Sequence, residues 1–357
     1  WIYLEQQLKQ IHDLERVHRR IKLGYFQFYE FTTLDIAYQK VSNLLNHIQQ
    51  TSIDSFPTIS NKSVQQVTDF MNEYTNQLQL SKISEFYRNR ITENIFKPGI
   101  YPELDHIQQE ITDRQEFFTE FITKLSWYIN DHKSKDNQYI KLMRNEKDGY
   151  FLEITNRRAK LLKQGLAKCV ITKIKLSNSS FQCKELKYVS KNSKTRISID
   201  ATNQKGEELL FYYTKLEKRC IHYCKELLVH FSEHYKDMFH EISQFIAKID
   251  VLKSAAKTSL LYNYCKPEIK ESSHSFIKCT QIRHPIIERI QKNCAYVPNN
   301  CHLYDQSLGM LLYGINASGK SSYMKSIGLN LILAQAGFYV AAESFCYSPY
   351  TQLFTRI

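Results

Sequence analysis

Gly314-Ile315-Asn316-Ala317-Ser318-Gly319-Lys320-Ser321 is the stretch on which the reading of this chain turns. It fits Gly-x-x-x-x-Gly-Lys-Ser/Thr, the pattern of a phosphate-binding loop. The apolar run Met310-Leu311-Leu312-Tyr313 predicts a strand before it, and the Ile- and Leu-rich segment after it predicts a helix. Glycines let such a loop curl so that backbone N–H groups face phosphate oxygens. The N-terminus of the following helix adds a favourable dipole. Lys320 is then placed for the β- and γ-phosphates of a nucleotide, and Ser321 for Mg²⁺. ATP and Mg²⁺ are the expected cofactors.

A complete nucleotide site also needs a hydrophobic strand ending in Asp and a catalytic carboxylate. Neither occurs between Ser321 and Ile357, where Glu343 is the only acid. These Walker B and signature elements are expected outside this sequence, so no catalytic residue is assigned. The chain opens at Trp1 and stops at Ile357 inside an apolar-patterned segment, as expected of part of a longer protein. ATP hydrolysis is expected of the intact protein and not of these residues alone.

Working back from the loop, Pro267, Pro285 and Pro298 punctuate short segments, and residues 263–357 read as the start of an α/β P-loop domain of ABC type. Residues 206–262 read as one long helix. Its seam runs Leu209, Tyr213, Leu216, Cys220, Tyr223, Leu227, Met238, Ile242, Phe245, Ile249 and Leu252, with His230 and His234 in register. Residues 103–150 form its counterpart, with Leu104, Ile107, Ile111, Phe118, Phe121, Leu125 and Tyr128 spaced by threes and fours, and Arg114 filling the one gap. At roughly 44 residues each, the pair would be a lever about 65 Å long. Residues 1–102 read as a helical core, with Leu4, Leu8, Ile11, Leu14 and Val17 at helical spacing and Pro98 and Pro102 closing it. The fold class is therefore multidomain and mostly α, with a small β-rich insert and the start of an α/β domain.

That insert, residues 151–205, reads as a mostly β module with strands near Tyr150–Ile154, Val170–Ile174 and Arg196–Ile199. From Asn156 to Lys205 there are thirteen basic residues against Glu185 and Asp200, a net +11 out of +12 for the whole chain. Charge focused in this way suggests a polyanion, nucleic acid first, with a solvated basic surface or an anionic membrane contact as the plainer alternatives. Lys187, Lys191, Lys194 and Arg196 are the residues expected to touch the phosphates of duplex DNA.

Nine scattered cysteines argue for reduced thiols inside a cell and against a disulfide framework. Cys220, Cys224, His230 and His234 would spread over about 21 Å of helix, too far for one metal ion, and read as seam positions. The most apolar stretch, Ser326–Ala342, carries Asn330 and Gln335 and is too short to span a bilayer comfortably, so no membrane partner is expected.

At this point the residues resemble a known family. Gly314–Lys325, GINASGKSSYMK, is similar to the MutS phosphate loop, including Ser322 and the Tyr-Met-Lys run. The stretch Ala334–Glu343 resembles the family's A-Q-x-G-x-x-V-P-A, with Ala341 standing where Pro is usual, and Phe354–Ile357 resembles its F-T-R-I. Arg283-His284-Pro285 resembles the motif that opens the ATPase domain, Asp250-Val251-Leu252 with Ala255 the helix entering it, and Asp13–Arg16 the D-L-E-R of the helical core. The form GINASGKSS is most similar to the branch found in large DNA viruses and octocoral mitochondria. The resemblance implies a DNA mismatch-repair ATPase whose clamp grips the DNA backbone and which pairs with a MutS-like subunit, expected to be a second copy. It implies a viral, host-cell or mitochondrial setting. It implies that Tyr296 stacks on adenine, with Val297 and Asn299 beside it. Phe28-Tyr29-Glu30 matches the Phe-x-Glu mismatch wedge, but it follows D-L-E-R within the helical core, so we read it as coincidence. Two alternatives come from other classes. An SMC-type DNA-organising ATPase would carry its coiled coil after the loop, whereas here both long helices precede it. A non-catalytic DNA-binding scaffold would lack the Asp-Glu strand in the full-length protein.

Overall fold

The computed structural model describes residues 1–51, 56–86, 90–129, 139–145, 149–168, 172–177, 179–290, 295–304, 307 and 309–354. Helices α1 (Ile2–Leu8) and α2 (Leu14–Lys22) divide the first apolar repeat. The break has a local cause: Asp13 caps α2, its Oδ1 accepting the Arg16 N–H at 3.0 Å. Helices α3 (Phe31–Thr51), α4 (Asn61–Gln77) and α5 (Leu80–Ile83) follow. Helix α6 (Pro102–Ser126) starts with Pro at its first position, where the missing N–H costs nothing. Strands β1 (Lys141–Asn145) and β2 (Gly149–Thr155), helix α7 (Asn156–Lys168), and strands β3 (Lys173–Lys175), β4 (Ser180–Gln182), β5 (Lys187–Lys191) and β6 (Lys194–Ser198) form the insert. Helices α8 (Asp200–His234) and α9 (Lys236–Tyr262) lead to β7 (Glu268–Ile269), β8 (Ile277–Ile282), α10 (Ile287–Ile290), β9 (Asn299–Leu303), α11 (Lys320–Gln335) and β10 (Ser344–Tyr347).

The chain divides into two compact units. One holds residues 13–39 and 61–240. Its centre is an aromatic cluster in which the Phe70 ring lies 5.0–5.2 Å from those of Tyr38, Tyr74, Phe231, Tyr235 and Phe239. Phe231 and Tyr235 therefore face inward and His230 and His234 face solvent, which corrects the expected seam register. The burial stripe follows the α-helical repeat rather than a strict 3.5-residue one. His230 pairs with Glu73 at 2.8 Å, while Cys220 and Cys224 are buried. No group of metal-ligating side chains occurs among the described residues.

Helices α6 and α8 of this unit run antiparallel, with Arg219 on Glu103 at one end and Arg114 on Glu208 further along. Arg114 does sit in the seam, nearly buried, held by Glu110 and Glu208 and stacked 4.4 Å from the Tyr212 ring. The lever is shorter than expected. Helix α6 has 25 residues, about 38 Å, and ends at Ser126 rather than near 150. Its partner starts at Asp200 rather than Gly206. Gly206 is inside that helix because nothing larger fits, since a Cβ there would lie 2.0 Å from the Tyr150 carbonyl oxygen.

The insert is also less β-rich than expected, since α7 takes thirteen of its residues. Strands β2 and β6 match the segments expected near Tyr150–Ile154 and Arg196–Ile199, β3 overlaps the end of the one expected near Val170–Ile174, and β5 was not expected, whereas Val170, Ile171 and Asp148 lie outside the described residues. The sheet is antiparallel throughout in the order β1-β2-β6-β5, and β3 pairs with β4 separately.

The other unit holds residues 1–12, 40–60 and 241–357. Its sheet runs β7-β10-β8-β9, parallel only between β7 and β10. Leu331 and Ala334 of α11 pack on Ile277, Cys279, Cys301 and Phe345 of this sheet. The expected strand at Met310–Tyr313 is absent from it, and Leu311 and Tyr313 are 87 % and 89 % exposed. An apolar run becomes a strand only where a neighbour accepts its backbone hydrogen bonds, and none is described beside this one.

Candidate nucleotide-binding loop and nucleic-acid interface

The loop before α11 is shaped by three residues in the left-handed half of backbone space, Gly314 (φ 153°), Ala317 (φ 62°) and Gly319 (φ 92°). Gly319 is the N-cap of α11, so the helix starts at Lys320 as the motif requires. The first N–H groups of any helix lack intrahelical acceptors and attract an anion. Lys320 folds back over the loop, its Nζ donating to the carbonyls of Gly314 at 2.8 Å and Ile315 at 2.7 Å. Ile315, Asn316, Ala317, Ser318 and Ser321 are exposed and Ser322 is half-buried. The loop thus presents backbone N–H groups, one ammonium and an exposed hydroxyl, a donor set that fits a magnesium–polyphosphate.

In the basic module, the side chains of a strand alternate between faces. The register therefore places Lys187, Val189 and Lys191 of β5, Lys194 and Arg196 of β6, Phe151 and Glu153 of β2, and Lys141 of β1 on one face. All four expected DNA contacts lie there together. The opposite face carries Leu152, Ile154 and Ile197, which are buried under α7 and α8. Arg196 lies 4.6 Å from the Phe151 ring. Lys187 meets Asp200 at 2.6 Å and Lys194 meets Glu153 at 2.5 Å, all of them partly exposed. Exposed pairs of this kind contribute little and exchange readily for phosphate.

The sequence matches the family description MutS domain V over residues 310–357, the last three of which lie outside the described residues. A mutS homolog of Acanthamoeba polyphaga mimivirus is 29 % identical, aligning with 99 % of this chain. The DNA mismatch repair protein MutS of Staphylococcus epidermidis is 26 % identical over the same share, and that of Staphylococcus saprophyticus 27 % over 98 %. Across nearly its whole length the chain is similar to MutS-family mismatch-repair proteins. It spans only 35–37 % of the length of these relatives.

The MutS-like motifs now have physical roles. Arg283 is a knot: its guanidinium donates to Glu288 at 2.7 Å and to the carbonyls of Tyr262 and Asn263 at 2.9 and 3.1 Å, and its own N–H donates to Ala341 O at 2.8 Å. The Nδ1 of buried His284 accepts the N–H groups of Ile286 and Ile287 at 3.3 and 3.2 Å, capping α10, and burial lowers the pKa of its ring. Both residues are structural. Tyr296 is half-buried beside Ser326 of α11, and burial pushes its hydroxyl pKa up. Val297 is 75 % exposed, and Asn299 begins β9, its amide donating to Val297 O at 3.0 Å. The tyrosine thus lies against the helix that the loop begins, about two turns along it. Phe28-Tyr29-Glu30 forms a short 3₁₀ turn whose Glu30 carboxylate is engaged by Arg20 and by the Gln27 N–H. That carboxylate is committed inside the helical core, in keeping with coincidence.

Sequence reasoning passed over the basic stripe of α7. Arg157, Lys160 and Lys168 entered the charge count but not the site, although their spacing by three, four and four through Gln164 is the mark of one helical face.

Proposed function

We propose that this chain is the clamp-and-nucleotide part of a MutS-type mismatch-repair protein, gripping duplex DNA by its phosphates and binding ATP with Mg²⁺. The grip is carried by Lys187, Lys191, Lys194 and Arg196, and the observation that carries the reading is their placement on one exposed sheet face. Phosphate contacts of this type position a protein without reading sequence. The nucleotide reading rests on Gly314–Ser322 with Lys320 aimed across the loop, Ser321 offered to the metal, and Tyr296, Val297 and Asn299 as the adenine side. Coupling of the two sites, hydrolysis and pairing with a second MutS-like subunit belong to the whole protein. Among the described residues no helix is long and apolar enough to cross a membrane.

The test is duplex binding as a function of salt for the parent and for a Lys191→Glu/Arg196→Glu variant. Removing one phosphate-binding side chain should lower the logarithmic salt slope by about 0.9. Unchanged affinity and slope would remove the sheet face from the interface.

A further inference from the structure

The basic module has a second charged side. Helix α7 buries Ala159, Leu162 and Leu166 against the apolar face of the β1-β2-β6-β5 sheet. At 100° per residue, Arg157, Lys160, Gln164 and Lys168 then point the opposite way, away from the sheet. The thirteen residues of α7 include five basic side chains and no acid. Lys160, Lys163 and Lys168 are exposed and have no ion pair among the described residues, unlike Lys187 and Lys194 on the sheet face. Lys163 instead reaches over the Tyr188 ring, 4.3 Å away, fastening the helix to the sheet. Lys160, Lys163 and Lys168 thus bring like charges together on one short helix, a repulsion that a nearby anion would offset.

We propose that the outer face of α7 is a second nucleic-acid contact, which holds a duplex segment other than the one on the sheet face. The inference rests on the reading that the sheet face takes duplex DNA. The two faces are the outer surfaces of a helix layer and a sheet layer packed on each other. A straight duplex lying on one cannot touch the other. Bending it round both is resisted by the stiffness of duplex DNA, whose persistence length is about 150 base pairs. The stripe from Arg157 to Lys168 rises about 16 Å. A duplex presents a charge every 1.7 Å or so along its axis, so several phosphates fall within reach.

The test immobilises a short duplex, adds the chain, and measures retention of a second, fluorescent duplex. The parent is expected to retain it. Lys160→Glu/Lys168→Glu, and the milder Lys160→Gln/Lys168→Gln, are expected to bind a single duplex while retention of the second falls to the level without protein. Lys191→Glu/Arg196→Glu should lose retention in the same way. Retention that survives the α7 substitutions, as two sheet faces of a dimer would give, overturns the proposal. A parent that binds one duplex but never a second also overturns it and leaves the proposed function standing. A parent that binds no duplex at all overturns both.

Discussion

Asn330 accepts the backbone N–H of Ala341 on its Oδ1 at 2.7 Å, and both residues are fully buried. Its amide donates to Arg283 O at 2.9 Å and Ser326 O at 2.8 Å, so one side chain ties α11 to the segments before and after it. The bond uses an N–H that proline does not have. Ala341 occupies the position at which the family motif usually carries Pro, so this chain has a hydrogen bond there that the usual residue cannot make. Ala341→Pro should leave the Asn330 oxygen buried without a donor and destabilise the protein by about 1–3 kcal/mol. Urea unfolding would show it as a lower midpoint. An unchanged midpoint would mean that Asn330 finds another partner.

Two glycines inside helices should respond in opposite directions. Gly206→Ala would drive a Cβ to 2.0 Å from the Tyr150 carbonyl oxygen, which the structure can meet only by moving backbone. A loss of about 1–3 kcal/mol is expected. Gly328 lies in α11 with nothing within 4 Å of the position a methyl group would take, so Gly328→Ala should gain about 0.5–1 kcal/mol through helix propensity. Thermal melting of the two variants beside the parent decides it, and melting points shifting the same way would contradict the packing described.

His18 is buried, with its Nε2 2.8 Å from the Tyr38 hydroxyl and its ring stacked 4.2 Å from Phe239. Burial lowers its pKa to about 3. The unfolded chain takes up this proton near pH 6.5, well before the folded one does. Its contribution to stability is therefore complete above about 6.5 and declines as pH falls towards 3, by at most about 1.4 kcal/mol per pH unit. Denaturation midpoints measured between pH 7 and 5, above the carboxylate range, should fall for the parent and fall less for His18→Gln. Parallel curves would place the titration elsewhere.

Lys320 holds the carbonyls of Gly314 and Ile315, and on ATP binding its ammonium must exchange them for phosphate oxygens. Lys320→Ala should weaken ATP by roughly 10- to 100-fold, the worth of about 1.5–3 kcal/mol for a hydrogen bond to a charged group. Circular dichroism should remain that of the parent, because Lys320 is the first residue of α11 and lies outside the buried core. Titration calorimetry giving equal ATP affinity for variant and parent would refute the assignment.

Residue order alone was enough for the short-range features. The phosphate loop was legible because Gly314, Gly319 and Lys320 are fixed by backbone geometry and charge at short range. The insert was legible because alternation in Tyr150–Ile154 and the concentration of lysine are local patterns, and the common face of Lys187, Lys191, Lys194 and Arg196 then followed from the register of β5 and β6. Tertiary structure decided what depends on distant partners. Met310–Tyr313 has the composition of a strand but no ladder neighbour among the described residues. His230 and His234 fit a seven-residue repeat, yet the ring of Phe70, some 160 positions away in sequence, selects Phe231 and Tyr235 instead. Helix α8 runs through Gly206, a residue that reads as a helix start but here leaves room for the Tyr150 carbonyl, which a Cβ would meet at 2.0 Å. Periodicity reports which residues can share a face. Which face is buried, and where an element stops, depends on the surface it meets.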